Sequence, residues 1–244
     1  ETLRTMHNLA TSYHAVQRWG EALELRREVL EMRRKVNGPE HPDTAAAMGN
    51  LAISLFQAGH RSEALQLREQ ALTILRKVRP DQPATLRLMG NLAASYADAG
   101  RRDEALDLLE EVLKLEVQVN KLEHPDTLWA MNNLAAFYFE AGRKKEASEL
   151  WERVVALAGT VLGPKHTVAL GYMNNLAGFY FDAGRAAEAL KLEEEVVTLR
   201  REVLGSEHDD TLSAMDMLAS VHTQLGHTDQ ALEVRRELLK TLEK

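Results

Sequence analysis

Histidines are the first residues to suggest chemistry. His41, His124, His166 and His208 recur in connectors just ahead of a helix start, and His7 and His14 lie seven apart on one helix. Imidazoles can hold a metal or move protons near neutral pH. Neither His7 nor His14 has a carboxylate at metal-ligand spacing, and the other four follow a repeat position, as local capping or packing groups do. There is no cysteine, which excludes disulfides, thiolate zinc sites and cysteine nucleophiles and is compatible with a reducing compartment. No glycine-rich phosphate loop occurs, and no nucleophile stands with a base and an orienting acid. No catalysis, metal or cofactor is expected. Thirty Lys and Arg against 37 Asp and Glu give a net charge of −7, which disfavours a nucleic-acid binder built on a large basic surface. The longest apolar stretch, Val154 to Gly163, has ten residues, where a membrane span needs about 20. The start, ETLRTMHNLA, shows no signal pattern. A cytoplasmic protein is expected.

The elements behind these residues come from a repeat. Asn-Leu-Ala occurs at Asn8, Asn50, Asn91, Asn133 and Asn175, with a degraded copy at Met217-Leu218-Ala219, at steps of 42, 41, 42, 42 and 42. A Glu-Ala-Leu or near relative keeps the same register from Glu21 to Gln230. The connector reads GPEHPDT at Gly38 to Thr44 and is shortened to RPDQPAT at Arg79 to Thr85, which accounts for the 41-residue step.

Each unit reads as two helices. Pro42 suits a first helical position, and Asp43 places negative charge at the helix N-terminus. Ala45, Met48, Leu51, Ala52 and Leu55 form one stripe. Gly59 ends this helix, as Gly100, Gly142, Gly184 and Gly226 end its equivalents. Ser62 is expected to cap the next helix, whose stripe is Ala64, Leu65, Leu67, Ala71, Leu72 and Leu75. Neither helix buries its stripe alone, so neighbouring units must stack. The methionine row Met6, Met48, Met89, Met131, Met173 and Met215 is expected in the core.

These residues resemble the tetratricopeptide repeat (TPR): its small residues match Ala52, Ala64 and Ala71, and its aromatic near the end of the first helix matches Tyr13, Tyr96, Tyr138 and Tyr180. The usual unit is ~34 residues; the 42-residue unit is similar to the arrays of kinesin light chains and to the C-terminal arrays of NACHT or NB-ARC signalling ATPases. The resemblance implies an all-α fold, a right-handed α-solenoid of six helix-turn-helix units in one domain over 1–244. The repeats run approximately 2–43, 44–84, 85–126, 127–168, 169–210 and 211–244. It implies a non-enzymatic scaffold that binds a peptide or partner protein in the groove lined by the first helices.

The groove candidates fall in rows. Asn8, Asn50, Asn91, Asn133 and Asn175 carry amides that can satisfy the backbone of an extended peptide; in resembling arrays this Asn contacts bound peptide. Bridging between repeats or local capping is the alternative. Asp98, Glu140 and Asp182 form an acidic row, suited to a basic partner or to a solvated helix end. Aromatics gather in repeats four and five, and Trp129, Phe139 and Phe181, with Phe56 earlier, map to or beside the groove as apolar anchors or as packing between repeats. The groove lacks the Lys and Arg set of the carboxylate clamp, since only Arg4 and Arg87 supply positive charge at groove positions, and the acidic row argues against the acidic-peptide specificity of kinesin light-chain grooves. Two other functions stay open: a ligand-sensing or autoinhibitory arm of a NACHT/NB-ARC-type ATPase, and a structural or engineered array. The last helix leaves Leu232, Val234, Leu238, Leu239 and Leu242 on an open stripe. That stripe points to excision from a longer array or to self-association through terminal repeats. No nucleic-acid or membrane partner is expected.

Overall fold

The computed structural model describes residues 2–242. Among them are twelve helices and no strand, two helices per repeat. The first helices are α1 (Thr2–Ala15), α3 (Pro42–Gln57), α5 (Pro83–Asp98), α7 (Pro125–Glu140), α9 (Thr167–Asp182) and α11 (Asp209–Gln224). The second helices are α2 (Trp19–Asn37), α4 (Arg61–Val78), α6 (Arg102–Asn120), α8 (Lys144–Val161), α10 (Ala186–Leu204) and α12 (Thr228–Leu242). The all-α reading and its six helix-turn-helix units are what the chain forms. The helices gather into two compact units, 1–119 and 120–244.

The connector histidines cap. Nδ1 of His41, His124, His166 and His208 accepts the backbone N–H two residues on, at 3.1, 3.2, 3.2 and 3.1 Å. Each satisfies one of the four orphan donors of a helix start, and Pro42, Pro83 and Pro125 fill first positions where no donor is needed. Gly59, Gly100, Gly142, Gly184 and Gly226 take positive φ after the first helices, a conformation costly for other residues. Ser62 does not cap: α4 begins at Arg61, its cap position is His60, and no side chain caps it. The methionines from Met48 to Met215 are buried, while Met6 is half-buried.

In unit 1 successive repeats are joined by a buried arginine. Arg26 of α2 donates through Nη1 to the Asn50 carbonyl oxygen (2.9 Å) and to Ser54 Oγ (2.6 Å) of α3. Arg68 of α4 makes the same pair of bonds, to the Asn91 carbonyl oxygen (2.9 Å) and to Ser95 Oγ of α5. Burial pulls both guanidinium pKa values down, so the acceptors are needed to hold the charge there. Ser95→Val takes one acceptor from a buried cation, and unit 1 should lose about 1–3 kcal/mol in urea unfolding.

In unit 2 the equivalent position holds Trp151, whose ring packs on Phe179 with centroids 5.3 Å apart. Phe179 occupies the register of Ser54 and Ser95. An apolar joint thus replaces a polar one at both of its ends. Phe139 extends this cluster, 5.4 Å from Phe179 and 6.3 Å from Trp151.

Candidate binding faces of the first helices

Two cavities open on the first-helix face of unit 1. One, of about 290 Å³, is lined by Leu3, Arg4, His7, Arg33 and Asn50 among others. The other, of about 610 Å³, lies between α3 and α5 and is lined by Asn50, Ile53, Arg79, Arg87, Leu88 and Asn91 among others. Asn50 therefore borders both. Among the described residues, the side-chain amides of Asn8, Asn50, Asn91 and Asn133 make no hydrogen bond within the protein. Asn175 differs: it donates through Nδ2 to Asn132 Oδ1 at 3.0 Å, the bridging alternative raised by the sequence. Asn132 Oδ1 also accepts from Trp151 Nε1 at 3.1 Å, so one amide ties α7, α8 and α9 together.

The charge on this face differs from the sequence expectation. Arg79 lines the larger cavity beside Arg87, although it lies in the connector and outside any helical wheel. Arg4, Arg79 and Arg87 make no ion pair among the described residues, whereas Arg33 is held by Asp43 at 2.9 Å. Of the acidic row, Asp98 accepts from Arg61 of the preceding repeat. Glu140 and Asp182 are exposed and unpaired among the described residues.

The aromatic candidates divide in the same way. Phe56 lies under two guanidinium groups, those of Arg61 at 5.5 Å and Arg68 at 5.0 Å. Phe139 belongs to the Trp151 cluster. Phe181 is half-buried with no ring against it among the described residues. Trp129 stands at the register of Ala46 and Arg87, both cavity-lining in unit 1, and is 41% exposed. One repeat along, that position is Gly171, where an added Cβ would meet nothing within 4 Å. Exposed Val168 takes the register of Ala84, another cavity-lining residue. The Tyr172 hydroxyl is pushed above its ordinary pKa, mainly by burial and also by Asp126.

One recurrent group escaped the sequence reading. The arginine after Gly100, Gly142 and Gly184, at Arg101, Arg143 and Arg185, lies over the tyrosine five residues earlier, 4.1 Å from the ring centroid in all three. It also donates to the glutamate three residues later, at 2.7, 3.0 and 2.7 Å through Nε. Arg18 repeats the arrangement with Tyr13 and Glu21. The signal is Tyr-x4-Arg-x2-Glu, readable once the repeats are aligned. Arg101 and Arg185 also reach Glu69 and Glu152 of the preceding repeat. The group braces the turn and the joint at once. Burial first, and the hydrogen bond it donates to Glu152 second, push the Tyr180 hydroxyl up to about 12.

Among the described residues no cluster of three metal-ligating side chains occurs, and no helix is long and apolar enough to cross a membrane. A search of curated proteins found no match. Among solved structures the chain is similar to the nearly identical TPR-like repeats of a kinesin light chain assigned in Podospora anserina. The identity is 32%, over 83% of this chain and 96% of that one, with a TM-score of 0.74. It is similar in fold to BtubC (BKLC) from P. vanneervenii, at 17% identity over 100% of this chain and 92% of that one, TM-score 0.75. It also shares its fold with a signal-transduction ATPase from Pyrococcus horikoshii that carries a tetratricopeptide repeat sensor. There the identity is 16%, over 99% of this chain and 36% of that one, with a TM-score of 0.75. Such repeats generally mediate protein–protein interaction, and their scaffolds are typically non-enzymatic. A tetratricopeptide repeat family profile matches residues 1–77, 62–116, 81–160 and 167–244, and the chain belongs to the tetratricopeptide repeat family.

Proposed function

We propose that the chain is a non-enzymatic binding scaffold whose first-helix faces hold an extended peptide segment of a partner protein. The observation that carries this reading is the larger cavity of unit 1, bordered by the unsatisfied amides of Asn50 and Asn91 and the unpaired guanidinium groups of Arg79 and Arg87. Unsatisfied amides offer a donor and an acceptor to any peptide backbone. The unpaired arginines favour an acidic side chain beside them. On unit 2, exposed Trp129 beside the open position of Gly171 suits an apolar side chain, with Phe181 as a second contact. Glu140 and Asp182 suit basic residues there. Asn8 adds an amide on unit 1 and Asn133 one on unit 2, while Asn175, Phe56, Phe139 and Asp98 act through neighbours that already hold them. Taken each by itself, the face of unit 1 favours acidic side chains and that of unit 2 basic and apolar ones.

The test is selection of a displayed peptide library on the 244-residue chain, then the affinity of the selected peptide for Asn50→Ala/Asn91→Ala. The double variant should keep its helix content and bind at least about tenfold more weakly, the loss of one net hydrogen-bond pair. Undiminished binding by the folded variant removes the groove reading.

A second reading makes the chain the sensor arm of a larger signalling ATPase. The match to the Pyrococcus protein supports it in extent alone, taking 99% of this chain and 36% of that one. A nucleotide-binding motif encoded upstream of Glu1 tests it.

A further inference from the structure

Inside each unit, the joints between repeats follow a residue code. The leucine of Asn-Leu-Ala lies with an aliphatic residue of the preceding second helix: Leu51 with Leu30, Leu92 with Leu72, Leu218 with Val197. Beside it, the arginine at the Arg26 and Arg68 position binds the Asn carbonyl and the serine four residues after that Asn. At the rim, Arg27 binds both carboxylate oxygens of Glu63, at 3.1 and 3.0 Å.

The two outermost helices carry the two unmatched halves of this code. On α12, Arg235 holds the position of Arg26 and Arg68, Arg236 that of Arg27, and Leu239 that of Leu30, Leu72 and Val197. On α1, Leu9 holds the position of Leu51, Asn8 and Ser12 those of Asn50 and Ser54, and Glu21, just beyond on α2, that of Glu63. Leu239 is 57% exposed and Leu9 is 45% exposed, while Leu30, Leu72 and Val197 and their partners Leu51, Leu92 and Leu218 are buried. Arg235 and Arg236 make no ion pair among the described residues. Ser12 Oγ already donates to the Asn8 carbonyl at 3.1 Å, which leaves its lone pairs open to a guanidinium.

We propose that the α12 face of one copy of this chain stacks on the α1 face of a second copy, head to tail. Leu239 packs on Leu9, and Arg235 donates to the Asn8 carbonyl and Ser12 Oγ. Arg236 meets Glu21, which already holds Arg18, so this rim contact adds little. The choice of a second copy over another occupant rests on the match at three positions. The alternatives seen at the arginine and serine positions, Trp151 with Phe179 and Glu193 with Val221, would not accept Arg235 or Ser12 in the same way. The interface is heterologous: each copy offers one half at each end.

The experiment is sedimentation velocity of the 244-residue chain across a concentration series. The unmodified chain should exceed its single-chain mass of 27.4 kDa as concentration rises. Leu9→Glu should block the α1 face, and Leu239→Glu the α12 face. Both positions are exposed within one copy, so circular dichroism should show unchanged helix content. Each variant alone should stay a single chain, and an equimolar mixture of the two should form one-to-one pairs and nothing larger. Arg235→Leu should weaken association about ten- to hundredfold, the loss of a buried charge-assisted hydrogen-bond pair. Single chains at every concentration overturn the proposal and leave these faces to a flanking repeat or a foreign helix. Self-association of Leu9→Glu or Leu239→Glu alone, at wild-type strength, overturns the head-to-tail arrangement.

Discussion

Leucine in place of Glu193 should stabilise unit 2, and by more as the pH rises. Glu193 lies on α10 at the joint position that holds Arg26 and Arg68 in unit 1. It is 0% exposed, and neither of its carboxylate oxygens has a hydrogen-bond partner. Val221 stands at the register where Ser54 and Ser95 accept hydrogen bonds. Burial pushes the carboxyl up to about 8 from its ordinary 4.5, and Arg200 offsets only part of this. The folded pKa is raised, so the proton is held more tightly in the folded state. Below pH 4.5 both states are protonated and the site carries no ionisation penalty. From there to about pH 8 the unfolded chain ionises while the folded one does not, and stability falls with each unit. Above pH 8 the penalty is complete, on the order of 5 kcal/mol at about 1.4 kcal/mol per pKa unit. Urea unfolding of the wild type and Glu193→Leu at pH 5, 7 and 9 measures the difference. The gap should widen from pH 5 to pH 9. Glu193→Gln should remove the pH dependence while keeping a buried polar group, so it recovers only part of the gain. A gap of constant size would show that the carboxylate is solvated or paired in solution.

That site illustrates what the repeat made readable and what it hid. Alignment at 42 residues was enough to place every helix pair, because periodicity within a repeat and glycine at its turn are local signals. The capping histidines and core methionines followed from the same register. Ser62 went astray because a hydroxyl near a helix start is common, and here α4 begins one residue ahead of it, at Arg61, with no side-chain cap. Asn175 and Asn50 look alike in sequence. They differ because the residue before Asn133, the equivalent in repeat four, is Asn132, which accepts from Asn175, whereas the residue before Asn8, the equivalent of Asn50 in repeat one, is His7. Arg79 entered the face from a connector, where no helical wheel assigns a direction. The joint pairs Arg26–Ser54 and Arg68–Ser95 lie 28 and 27 residues apart. Only the packing of one repeat on the next reveals that they vary together.

The two tryptophans of repeat four should separate stability from recognition. Trp151 is 5% exposed, packs on Phe139 and Phe179, and donates to Asn132. Trp151→Ala empties the centre of that cluster, and unit 2 should lose about 3–5 kcal/mol, the usual cost of removing a buried Trp or Phe ring. Asn132 would keep only its bond from Asn175, so the amide row would lose its anchor as well. Trp129 is 41% exposed and makes no ring contact among the described residues. Trp129→Ala should change stability by about 0.5 kcal/mol or less, yet weaken peptide binding about thirtyfold or more if this ring is an interface anchor worth 2 kcal/mol. Urea unfolding and peptide titration of both variants read the two effects separately. A Trp129→Ala chain that unfolds early would place that ring in the core. One that is stable and binds undiminished would move the recognition site to the amide and arginine face of unit 1. The contrast follows from position along the repeat. Trp129 replaces residues that line a cavity, Trp151 replaces an arginine that closes a joint, and only the second is held on every side by the fold.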